Sequence, residues 1–131
     1  MLIAADAKDD ATKKDLEKIQ GTWVSLSAES SGKKVPEKEL KDVRHTFKGG
    51  KIIVDHRGSK IEIPFTLDVS KKPKTIDLTI KGKKGVRTVK GIYELSGDEF
   101  KMCTDEYERP KEFQSTSDNG YKLTILKREK K

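Results

Sequence analysis

Apolar and polar residues alternate with a period of two along most of this chain. The clearest run is KIEIPFTLDVS, where Ile61, Ile63, Phe65, Leu67 and Val69 fall on one face and Glu62, Pro64, Thr66, Asp68 and Ser70 on the other. Such alternation marks a half-buried strand. Pro64 cannot donate to a ladder, so a bulge or bend is expected there. Ile76, Leu78 and Ile80 repeat the pattern, residues 86–95 form a long strand with Gly91 relieving crowding at its middle, and Phe100, Met102 and Thr104 begin the next. Residues 43–47 and 51–55 flank Lys48-Gly49-Gly50, a hairpin signal, and residues 121–127 make the last strand after Asn119-Gly120. From Thr22, Val24, Leu26 and Ala28 point one way while Trp23, Ser25 and Ser27 point the other. Only two segments read as helix. One is a short piece before Gly21, capped by Asp15 with Leu16 and Ile19 on one face; the other is a turn near residues 37–41 behind Pro36.

About eight short antiparallel strands with a short N-terminal helix predict an all-β, up-and-down barrel. Closure has a physical motive, because an open sheet leaves two unpaired edges and a barrel leaves none. A chain of 131 residues is one domain's worth. Residues 15–131 are expected to form that domain. Residues 1–14 read as a disordered terminus or the remnant of an export signal, because apolar Leu2-Ile3 precede an Ala-x-Ala step at residues 5–7.

The helix followed by Gly21-Thr22-Trp23, with Arg128 just past the last strand in LTILKRE, resembles the lipocalin and wider calycin pattern. The resemblance implies that Trp23, entered through Gly21, closes the base of the barrel while Arg128 packs across its indole. The span 16–128 also resembles a family of small uncharacterised domains found largely in planctomycete bacteria. The matching stretches are residues 19–24, GIYELSGD at 91–98, RPKEF at 109–113 and LKR at 126–128. That resemblance implies export to the periplasm or exterior, with the cytoplasm as the alternative, and brings no activity with it.

Charge changes the picture less than its total suggests. The formal net charge is +7, and residues 71–90 hold all of that excess. Lys71, Lys72 and Lys74 precede the apolar stretch 76–80, while Lys81, Lys83 and Lys84 follow it. At about 3.3 Å per residue the two groups lie roughly 20 Å apart, at opposite ends of one strand. No aromatics are interleaved for base stacking and one arginine accompanies the lysines, which argues against sequence-specific nucleic-acid binding. No run is long and apolar enough for a membrane-spanning helix.

Catalytic chemistry finds little support. Phosphate-loop, dinucleotide and nucleophile-elbow motifs are missing. His45 and His56 sit on neighbouring strands with no third ligand at useful spacing apart from Asp55 beside His56, so neither metal nor cofactor is expected. Cys103, the sole cysteine, reads as an inert thiol, and RPKEF as a turn in which Pro110 stiffens the chain and Phe113 docks on the core. The expected function is therefore non-enzymatic binding of a small, mostly apolar ligand inside the barrel, with Phe65, Tyr93 and Met102 as cavity candidates. The alternative is an interaction or inhibitor module that meets an acidic protein partner through its loops and the basic 71–90 segment.

Overall fold

A computed structural model describes residues 3–129, with residues 3–10 as backbone only. Met1 and Leu2, where the stretch read as an export-signal remnant begins, lie outside the described residues. The chain runs α1 (Ile3–Ile19), β1 (Gly21–Ser30), β2 (Lys33–Lys34), α2 (Glu37–Leu40), β3 (Val43–Lys48), β4 (Lys51–His56), β5 (Ser59–Asp68), β6 (Thr75–Gly82), β7 (Gly85–Ser96), β8 (Glu99–Asp105) and β9 (Lys122–Arg128). Each long strand pairs antiparallel with the next, and β1 pairs with β9 to close an eight-stranded barrel. The two-residue β2 only extends the edge of β1.

Directly paired residues share a face of the sheet. Through this rule the register assigns the interior. Trp23 faces Arg128 and His45, Ile52 faces Ile63, Phe65 faces Leu78, and Tyr93 faces Met102. Gly91 lies between Ile76 and Thr104, where an added Cβ would come within 2.7 Å of the Thr104 methyl and 3.0 Å of the Cys103 carbonyl oxygen. The long β7 can therefore cross the barrel only with glycine at that point.

Three local expectations are corrected. Asp15 does not cap the helix. α1 starts at Ile3 and continues through Asp15, whose buried carboxylate accepts bonds from Tyr93 Oη at 2.8 Å and Lys74 Nζ at 2.9 Å. Pro64 makes no bulge. The β4–β5 register runs without interruption from Ser59 to Pro64 and passes to β6 at Phe65, so the missing N–H falls where the strand changes partners. The bulge sits in β1 instead, between Ser25 and Ser27. It leaves Leu26 half exposed and turns Ala28 inward, opposite the buried Thr124, onto the same face as Trp23.

The lower half of the barrel is packed solid. Trp23, Phe47, Phe65, Tyr93 and Phe100 form one aromatic cluster with centroids 5.4–6.4 Å apart, in edge-on, tilted and stacked pairs. The end of α1 seals it from below with the fully buried Ile19. The Trp23 indole N–H donates to the Ile19 carbonyl at 2.8 Å. Arg128 lies 4.3 Å over the indole ring and donates to the carbonyls of Gln20, at 2.8 Å, and Lys18. A cation thus meets the negative end of the helix and satisfies carbonyls that have no partner within it. Gly21, at φ +118, makes the sharp exit from α1 to β1, and a Cβ there would press within 3.2 Å of Arg128 Nη1. Trp23→Ala is expected to lower unfolding free energy by about 3–5 kcal/mol in urea titration, whereas a loss under about 1 kcal/mol would refute its role as the barrel's plug.

Candidate ligand-binding cavity

Because the aromatic floor fills one end, free volume inside the barrel collects at the other. A cavity of about 460 Å³ opens there, between the upper halves of β5 to β8 and the start of β9. Ile63, Leu78, Ile80 and Val89 make its apolar wall, and Thr104 and Lys122 contribute polar groups. Every one of these six residues occupies an inward register position. Large exposed apolar side chains gather at the same end. Ile61 follows the β4–β5 turn, Val86 opens β7, and Tyr107 follows β8.

Charges around the mouth are unevenly paired. Arg87 meets Glu106 at 2.7 Å, and Asp105 accepts the backbone N–H groups of Tyr107 and Glu108, each at 3.0 Å. Lys122 has no carboxylate partner among the described residues. His45 also faces the interior, beside Trp23 on one strand and Val54 on the other. Its Nδ1 is buried without a hydrogen-bond partner. Burial, helped by the positive charge of Lys122, lowers its pKa to about 4.

Phe65, Tyr93 and Met102 are not in this cavity but belong to the packed core beneath it. Alternation puts them on the correct face of their strands. Their depth along the barrel depends on the plug and on strand stagger, which a single strand's pattern does not carry. The same alternation in Ile63, Leu78, Ile80 and Val89 was the available signal for the cavity wall. Gly21, Trp23 and Arg128 come together at the base, as described above. His45 and His56 are offset along their hairpin, since His45 pairs with Val54 and the exposed His56 with Val43.

Cys103 faces outward and is fully buried under the β8–β9 connection, in a second cluster with Ile92 and Tyr121. Phe113 packs against that cluster, Pro110 is fully buried, and burial raises the thiol's pKa. Arg109 secures the same segment by donating to the Gly91 carbonyl at 2.8 Å and meeting Asp77 at 2.7 Å. Sequence reasoning missed this arginine's role, because its partners lie 18 and 32 residues away on other strands.

The lysines of the basic segment do not form one patch. Lys74 is tied to Asp15, and Lys81, Lys83 and Lys84 surround the β6–β7 turn at the open end. Lys71 and Lys72 line a groove of about 760 Å³ on the outside of the barrel, together with Lys111 and the Arg109–Asp77 pair.

Compared with protein-family models, curated proteins and solved structures, the chain matches none. The eight-stranded antiparallel closed barrel is consistent with a lipocalin-like fold.

His45 gives the fold a pH dependence whose sign follows from its environment. In the unfolded chain the ring protonates near pH 6.5, whereas in the folded barrel it stays neutral down to about 4. The unfolded state holds the additional proton between these values, so stability falls as pH drops through that window, by up to about 3 kcal/mol. Denaturant titrations at pH 7 and pH 4 should show this loss in the wild type and a smaller one in His45→Gln; equal losses would refute it.

Proposed function

We propose that this protein binds a small, mostly apolar molecule in the upper half of its barrel. The observation that carries the reading is the cavity of about 460 Å³, walled by Ile63, Leu78, Ile80 and Val89 above a sealed aromatic floor. A volume of that order, largely apolar with a few polar groups, is what small-ligand sites have in common. The apolar side chains at the rim, Ile61, Val86 and Tyr107, support access from this end. The planctomycete-like stretches and the Ala-x-Ala step at residues 5–7 support export, so the ligand would be met outside the cytoplasm.

A second reading, recognition of an acidic protein partner, is favoured by the outer groove. There Lys71, Lys72 and Lys111 lie together, and no carboxylate pairs with them among the described residues. Such binding would weaken steeply with salt.

The two readings separate experimentally. If the carrier reading holds, an apolar fluorescent probe binds the wild type and is excluded by Val89→Trp, which fills the cavity while far-ultraviolet dichroism shows the barrel intact. Failure of the wild type to take up any apolar probe would overturn it. On the second reading, a partner captured at low salt is lost from the Lys71→Glu, Lys72→Glu, Lys111→Glu triple variant and kept by Lys81→Glu, Lys83→Glu, Lys84→Glu. Retention by the first variant would remove the outer groove as the docking surface.

A further inference from the structure

One seam of the barrel is hydrogen-bonded over only part of its length. β5 and β6 pair through residues 65–68 and 75–78, yet both strands run on toward the open end, β5 from Ser59 and β6 to Gly82. The break begins at Pro64. The Phe65 N–H donates to the Gly50 carbonyl at 2.9 Å, toward β4, so alternation turns the backbone groups of residues 60, 62 and 64 toward β6. Proline has no N–H to give there. Across the gap, the Tyr93 N–H donates to the Lys74 carbonyl at 2.9 Å, which sets the even-numbered residues of β6 toward β7 and leaves the N–H and C=O of Thr79 and Lys81 directed at β5. Above the break the strands stand clear of the core, and residues 59–62 and 81–88 are all exposed.

An unpaired strand edge is a template for another strand, and the side chains around it restrict which one. Inward positions beside the gap carry Ile61, Ile63 and Ile80. Outward positions carry Lys60, Thr79 and Lys81, and Lys83 and Lys84 occupy the adjoining turn. Glu62, the one carboxylate on these upper segments, is engaged by Lys51 at 3.2 Å. No carboxylate pairs with the four lysines among the described residues. A second copy of this chain would bring the same lysines against one another, whereas an acidic strand would neutralise them. The outer groove lies lower on the same two strands, where they are paired, so it is a different surface.

We propose that the upper edge of β6 takes up an extended peptide of a partner protein, running antiparallel to β6. Apolar side chains at alternate positions of the peptide turn inward onto Ile61, Ile63 and Ile80, and acidic ones between them turn outward to Lys60 and Lys81. The backbone groups of Thr79 and Lys81 form the ladder. The edge is rigid before the peptide arrives, because residues 79–82 pair with residues 85–88 of β7 in unbroken register. Uptake needs no ligand in the cavity, so it stands apart from the carrier reading.

The test uses a fluorescein-labelled heptapeptide of alternating glutamate and valine, with binding read by anisotropy at low salt. In antiparallel pairing the outward residues of the peptide turn their N–H groups to β6. Methylating two glutamate nitrogens should therefore weaken binding at least about tenfold, while methylating two valine nitrogens, which face away, should cost far less. Amide hydrogen exchange at Thr79 and Lys81 should slow when the peptide binds, and Ile80 and Gly82, already bonded to β7, should change little. Thr79→Pro removes an edge donor without breaking a β6–β7 bond and should lose the peptide, and Lys81→Glu should weaken it. Equal losses from the two methylations, unchanged exchange at Thr79 and Lys81, or failure of the wild type to bind would each overturn the proposal and leave the carrier reading standing. So would a dimer in which those two amides are protected without peptide, since the edge would then belong to a second copy.

Discussion

The stack of Arg128 on Trp23 is the contact on which the rest of the architecture depends. It brings the end of α1, the first strand and the last strand to one point, and Asp98 in the β7–β8 turn joins them, with its carboxylate 3.3 Å from Arg128 Nε. An indole is large enough to close the narrow end of an eight-stranded barrel. Its single N–H would be costly to bury alone, and the Ile19 carbonyl accepts it. The guanidinium meanwhile satisfies carbonyls where the helix stops. One residue pair thus meets a volume requirement and a hydrogen-bonding requirement together.

That plug decides where function can lie. With Phe47, Phe65, Tyr93 and Phe100 packed around Trp23, the floor has no room for a ligand, and the remaining volume is displaced toward the opposite rim. The polar groups follow the same division. At the floor Tyr93 and Asp15 satisfy each other, with Lys74 completing the arrangement. Near the rim Lys122 has no carboxylate partner among the described residues, and deeper on β3, beside Trp23, His45 keeps an unpartnered buried Nδ1. A base with its charged groups matched beneath a mouth with surplus charge is the division expected of a scaffold that carries a site at one end.

Much of this was legible in the sequence, because a barrel strand states its inward face in its own alternation. The strand list, the turns and the role of Gly91 all come from that local signal. Local signals failed where the cause was distant. The bulge in β1 answers to its pairing with β9, about a hundred residues on, and nothing in SLSAES alone announces that Leu26 is ejected. Asp15 looks like a cap when only its neighbours are considered; its partners, Lys74 and Tyr93, lie 59 and 78 residues away. The cavity residues were read on the right face and at the wrong depth, since depth is set by how strands stagger around the closed barrel.

The closing seam between β1 and β9 also orders events in time. Every other seam of the barrel joins strands that are consecutive along the chain apart from the small β2–α2 excursion, so those hairpins can form as soon as each pair exists. The β1–β9 seam joins residues 23–30 to residues 122–128, and it must wait until nearly the whole domain has left the ribosome. Until then β1 and the newest strand present open edges and the Trp23 pocket has no Arg128 to cover it. The slowest and most vulnerable interval in this protein's life is therefore the one before its last strand arrives, when the sheet is complete in length but still a ribbon.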